Sequence, residues 1–145
     1  FATGIKTITA ETFFGVPFWD DKFKDELVMG HTGRHWLQVV GTDWFRNANP
    51  DCWVNMLFAH ADTNTIPLII GDVRFPNEVE RIQEEGGHVI RLLRSPEVYD
   101  PHESECALDD YEGFDVVINN TALSLSQQRQ VVWDTIVRKG WLDGS

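Results

Sequence analysis

The run PLIIGDVRFPNEVERIQEEGGHVIRLLR, residues 67–94, constrains the fold more than any other part of this sequence. Residues 67–71 are a short continuous apolar run, which reads as a strand buried on both faces. Residues 76–85 then set Val79 and Ile82 among Glu and Arg, a helix pattern that opens on Pro76 and is stopped by Gly86 and Gly87. Residues 89–93 form a second apolar run. Strand, helix and strand in this order make a βαβ unit, which requires parallel strands and a right-handed crossover. In an open parallel sheet ligands bind where the strands end, and Asp72 and Arg74 stand at that point.

The remaining segments extend the same α/β reading. Residues 2–14 space Ile5, Ile8, Thr9, Thr12 and Phe13 as one helical face, ended by Gly15 and Pro17. Residues 18–29 are charged, with scattered aromatics, and read as a surface excursion or short helix. Thr32 is placed to cap a helix carrying Trp36, Val39, Val40 and Trp44, and Pro50 suits the first position of another, with Trp53, Met56, Leu57 and Ala61 on its face. Residues 95–113 hold two prolines and many acidic positions, a loop or flap. Residues 115–119 read as a third strand and 123–139 as a closing amphipathic helix. One domain over residues 1–145 is expected, α/β, with a parallel sheet between helices on both faces.

Charge narrows the partners. The chain carries 23 acidic and 12 basic residues, net −11, which argues against general affinity for duplex nucleic acid or an anionic membrane. An anionic ligand must therefore be met locally. Arg34, Arg46, Arg74, Arg81, Arg91 and Arg94 supply the basic charge between positions 34 and 94, and Arg presents a planar fork suited to phosphate or carboxylate. Cys52 and Cys106, far apart and outside any CxxC pattern, read as reduced thiols of a cytoplasmic protein. No apolar run has the length of a membrane span.

Asp72 could hold a magnesium-bound water or a sugar hydroxyl, Arg74 could bond phosphate oxygens, and Glu78 could orient that guanidinium. The alternative is that Asp72 caps the following helix and pairs with Arg74. Gly41 lies inside a helical pattern, where glycine costs roughly 1 kcal/mol against alanine, so it marks either a close ligand or a helix crossing. His102 and Cys106 have the spacing of a helical metal pair, but no second pair accompanies them.

In order and spacing, GRHWLQVVGTDWFR, DCWVNMLFAHAD, the run at 67–94, DPHESECALDD and FDVVINN resemble the bacteriophage deoxynucleoside monophosphate kinases over nearly the whole chain. Asp72-Val73-Arg74-Phe75-Pro76-Asn77-Glu78 is the most specific piece. The resemblance implies a P-loop kinase fold and transfer of the terminal phosphoryl of ATP, with Mg2+, to a deoxynucleoside monophosphate in the host cytoplasm. It assigns Asp72 and Arg74 to catalysis, Asp72 also to the metal. Lys6, Arg34, Gly41, Thr42, Trp53, Glu78, His102, Ser104 and Glu105 fall to substrate binding, with residues 95–113 as the lid.

One departure stands out: no GxxxxGK[ST] loop occurs, so the sequence as written has no ATP phosphate site, and the strand preceding such a loop is missing with it. A start inside a helix at Phe1 is read as pointing to an upstream segment. Otherwise a second copy or a complementing chain would complete the sheet. The competing functional readings are a nucleotide-binding module without turnover and a structural phage protein derived from such a kinase.

Overall fold

The computed structural model describes residues 2–15, 21–61, 67–94 and 102–142. The chain is a mixed α/β protein, mostly helical, with two small sheets among the described residues. The first helix begins as α1 (Ala2–Lys6) and widens into π-type turns over Thr7–Phe13. Gly15, at φ +66°, stops it in the left-handed conformation that glycine adopts without a side-chain clash. Pro17, expected to share that task, lies outside the described residues. Within the segment 18–29, read as a surface excursion or short helix, Asp21–Lys24 forms a 3-10 turn, and a short antiparallel hairpin follows, β1 (Leu27–Val28) and β2 (His31–Thr32), which the sequence did not suggest.

Thr32 caps the next helix as expected, its hydroxyl oxygen accepting the His35 N–H at 3.3 Å. That helix starts as α2 (Gly33–Gln38) and continues in π-type turns over Val39–Arg46, a widening with no signal in the sequence pattern. The third helix, α3 (Cys52–His60), begins two residues later than the Pro50 start expected. The Pro50 carbonyl accepts from Arg46 at 2.7 Å and from Asn77 at 3.2 Å, bonds that hold it in the preceding turn.

Residues 67–71 correct the sequence reading. They form no strand: Ile69 is 92% exposed and Leu68 44%, while Ile70 alone of the three packs on the core. A strand exists only with a neighbour to take its N–H and C=O groups, and none of the described residues offers one here. A parallel pair is nevertheless present further on. Helix α4 (Pro76–Glu84) leads to β3 (Ile90–Leu93), and the short helix α5 (Glu103–Cys106) precedes β4 (Val116–Asn119). The register matches Ile90 with Val116 and Leu93 with Asn119. The expected three-layer sheet is thus reduced to one parallel pair. Helix α6 (Leu125–Arg138) closes the chain behind a capping box of Ser124 and Gln127. No helix among the described residues is long and apolar enough to cross a membrane.

The core beneath α4 and β3 consists of Val79, Ile82, Val89 and Leu108, with Phe58 of α3 and Val73 packed against it. A fully buried valine such as Val79 contributes roughly 1.5–3 kcal/mol. Ala10, Val40, Trp53 and Val54, on the first three helices, are buried as well.

Asp115 fixes where β4 meets β3. Its Oδ2 accepts the Val89 N–H at 2.7 Å and Gln83 Nε2 at 3.0 Å, and its own N–H donates to the Val89 carbonyl. Burial pushes the carboxyl up, but these two hydrogen bonds and the neighbouring His88 outweigh it and hold Asp115 below the usual aspartate range. A depressed carboxylate stabilises the fold above its unfolded-state pKa and stops doing so as pH falls through the folded value. Asp115→Asn is expected to lose about 1–2 kcal/mol at pH 7, where the group is partly solvent-screened, and much less at pH 3. Urea midpoints at the two pH values test this, and an equal gap at both would refute the ionic role.

Candidate functional site

The site grows from the first turn of α4. With Pro76 opening the helix, Glu78 falls where its carboxylate can reach back over the preceding loop. Its Oε2 accepts the N–H groups of Arg74 at 2.9 Å and Phe75 at 3.2 Å. Phe75, at the N-cap, cannot return a hydrogen bond as Ser or Thr would, so only half of a capping box forms. The other oxygen, Oε1, lies 3.3 Å from the Arg46 guanidinium. Glu78 is 3% exposed, and burial pushes its carboxyl above the ordinary glutamate value. The Arg74 N–H, the Arg46 charge and the Phe75 N–H pull the other way. Glu78 thus orients the main chain at Arg74, whereas the sequence had suggested that it orients the guanidinium.

The Arg74 guanidinium turns to the flap. It donates to the Ser104 carbonyl at 3.1 Å and forms an ion pair with the Glu105 carboxylate. The alternative in which Asp72 caps the helix is not what the loop shows, because Phe75 occupies that position. His102 caps α5, its Nδ1 accepting the Ser104 N–H at 3.2 Å. Residues 95–101 of the expected flap lie outside the described residues.

Gly41 serves a helix crossing. A Cβ there would meet the Ile5 side chain at 3.0–3.5 Å, and its carbonyl accepts Trp53 Nε1 at 2.8 Å. Trp53 is therefore both a core residue, close to Phe45, and part of a wall.

That wall belongs to a cavity of about 270 Å³. Lys6, Arg34, Gly41, Thr42, Trp53, Asp72, Arg74, Glu78, Ser104 and Glu105 all line it, which is every residue singled out from the sequence except His102. Ile5, Lys24, Leu37, Gln38, Arg46 and Phe75 complete the lining and were missed. Leu37 and Gln38 were within reach of sequence reasoning, since they share a helical face with Arg34, Gly41 and Thr42. Lys24 and Ile5 arrive from other elements and carried no such signal. A smaller cavity of about 230 Å³ shares Asp72, Arg74, Ser104 and Glu105 with it and adds Arg91.

In a chain of net charge −11, the larger cavity gathers Lys6, Lys24, Arg34, Arg46 and Arg74 against Asp72, Glu78 and Glu105. Arg46 stands beside Glu78 and Arg74 beside Glu105. Such a site suits a small ligand with an apolar face for Trp53 and Leu37 and an anionic end for the cations. Among the described residues no three His, Cys, Asp or Glu side chains converge as a metal-binding group.

The fold and site are those of a mixed α/β protein with a cavity rich in cationic side chains at a loop-to-helix junction. Residues 22–129 match the deoxynucleotide monophosphate kinase family, and the chain belongs to it. A protein of Acanthamoeba polyphaga mimivirus that carries the name of a deoxynucleotide monophosphate kinase is 33% identical over 111 residues, covering 66% of this chain. The chain spans 57% of that relative's length. No solved structure matches.

Removing the Glu78 carboxylate leaves the Arg74 and Phe75 N–H groups without their side-chain acceptor and the mostly buried Arg46 guanidinium without its counter-ion. Glu78→Ala is expected to cost about 3–5 kcal/mol in a denaturant titration. A loss under about 1 kcal/mol would mean that the loop does not depend on this carboxylate.

Proposed function

We propose that this chain carries the acceptor side of a deoxynucleoside monophosphate kinase, the part that holds the monophosphate to which ATP's terminal phosphoryl is transferred. The observation that carries the reading is the gathering of five cationic side chains, Lys6, Lys24, Arg34, Arg46 and Arg74, around one 270 Å³ cavity of a strongly acidic chain that belongs to this family. Arg74 and Arg34 grip the phosphate, Trp53 and Leu37 give the base or sugar an apolar wall, and Thr42 and Gln38 offer polar contacts along the same helix. Lys6 adds charge to the phosphate end, and the segment with Ser104 and Glu105 excludes water from above.

The family implies ATP and Mg2+. Asp72, a carboxylate at the cavity wall, fits Mg2+ of the kind held by one or two carboxylates and substrate phosphates. Mg2+ there would neutralise charge on the phosphates during transfer. The ATP triphosphate does not fit the residues present, because none of them forms a GxxxxGK[ST] loop, and no transfer step is derived from this chain alone. The host cytoplasm as the site of action, one domain over residues 1–145 and a further strand beside β3, from a second copy or another segment, belong to the same proposal. The exposed Leu92, Leu93 and Val117 leave apolar surface on the sheet faces for added chain to cover.

Titrating the chain with the four common deoxynucleoside monophosphates in a calorimeter should give saturable binding to at least one. Arg74→Ala should weaken it about 10–100-fold, the loss of a bidentate charge-assisted contact. Flat heats with all four would sink the reading. The exposed Arg74–Glu105 pair is worth little by itself, so Glu105→Gln should release the guanidinium and tighten binding about 2–5-fold. Weaker binding would instead assign that carboxylate to the ligand.

A further inference from the structure

The geometry points to Arg46 as a positioning residue for the phosphate end of the cavity, acting through Glu78 on the backbone that carries Arg74. This rests on the reading of the cavity as a monophosphate site. The Arg46 side chain is 11% exposed, and its guanidinium carbon lies 3.5 Å from the centre of the Phe75 ring. Within the plane of the fork, Nη1 donates to the Pro50 carbonyl at 2.7 Å and to Glu78 Oε1 at 3.3 Å. Nη2 donates to Asn77 Oδ1 at 2.9 Å. Asn77 in turn donates through Nδ2 to Asp51 Oδ1 at 2.7 Å and to the Pro50 carbonyl.

One side chain therefore clamps three stretches that are distant in sequence: the end of the helix bearing Arg34, Gly41 and Thr42, the turn before α3, and the loop from Arg74 to Glu78. Both walls of the phosphate end are set relative to each other by this clamp. Three of the five N–H donors of Arg46 are taken by Pro50, Asn77 and Glu78, which assigns it to orientation while Arg74 and Arg34 make the phosphate contact. A lysine cannot replace it. An ammonium lacks the planar face that lies on Phe75 and cannot hold three acceptors arranged around a flat fork.

A positioning role and a merely structural one differ in what they do to the two ends of the ligand. Arg46 sets Arg74, so its loss should affect monophosphates and spare the parent deoxynucleosides. The experiment compares wild type, Arg46→Lys and Asn77→Ala for binding of each deoxynucleoside monophosphate by calorimetry and of the matching deoxynucleoside by NMR titration, with thermal unfolding in parallel. Arg46→Lys is expected to weaken the monophosphate at least 10-fold and to change the deoxynucleoside less than 2-fold. Asn77→Ala, the milder change, should shift the monophosphate about 3-fold in the same direction and serves if Arg46→Lys fails to fold.

Unchanged monophosphate affinity in the folded variants overturns the inference, as does parallel weakening of monophosphate and deoxynucleoside. Absence of monophosphate binding by the wild type overturns the reading of the cavity itself, a distinct outcome.

Discussion

The structure around the cavity depends on one buried anion. Glu78 lies under the loop it organises, with two backbone N–H groups on one oxygen and a guanidinium on the other. Removing a carboxylate from water is costly, and only a full set of donors offsets that cost. Here the donors come from the chain segment whose path the function requires. The extended conformation of Phe75, φ −131° and ψ 149°, lets both N–H groups converge on one oxygen, and the same backbone delivers Asp72 and Arg74 to the cavity wall. Local helix chemistry and the site are thus one feature: the first turn of α4 would lack its reciprocal cap without the loop, and the loop would lack its anchor without the helix.

This also explains why so acidic a chain can present a cationic hollow. The acidic residues of the flap stand over the arginines they neutralise, and Glu105 occupies one face of the Arg74 fork. Carboxylate and phosphate oxygens satisfy the same guanidinium geometry, so an arginine held by a half-exposed carboxylate is preorganised for phosphate at little energetic cost. Arg46 is different in kind. Its ion-pair partner Glu78 is buried, its contact with the buried Phe75 ring fixes its plane, and exchange with a ligand would leave Glu78 and Asn77 without a donor.

Local signals carried much of the fold. Helix α4 with Pro76 and the stop at Gly86, the Thr32 cap, strands β3 and β4 and helix α6 follow from periodicity and end chemistry within a few residues of sequence. Residues 67–71 show the limit of that reasoning. Their composition is that of a buried strand, but a strand is a property of two chains, and no sequence window reports whether a neighbour is present. The start of α3 was displaced for a similar reason, because Pro50 is claimed by Arg46 and Asn77 from outside its own window. At the site, residue types with an evident chemistry, Asp72 and Arg74, were legible. Arg46 was not, since its side-chain partners Asn77 and Glu78 lie 31 and 32 residues away and nothing near it in sequence announces a fork.

The charge balance of the cavity bears on what can occupy it. Among the described residues, Lys6, Lys24, Arg34, Arg46 and Arg74 line it together with Asp72, Glu78 and Glu105, and the partly exposed Arg74–Glu105 pair is the one open to exchange. In the proposed reading a phosphate monoester, with between about one and a half and two negative charges at neutral pH, would take the place of the Glu105 carboxylate on Arg74. A deoxynucleoside carries no such charge and would leave that pair in place. Discrimination between the two would then come from exchanging one oxyanion for another on a guanidinium already held in position.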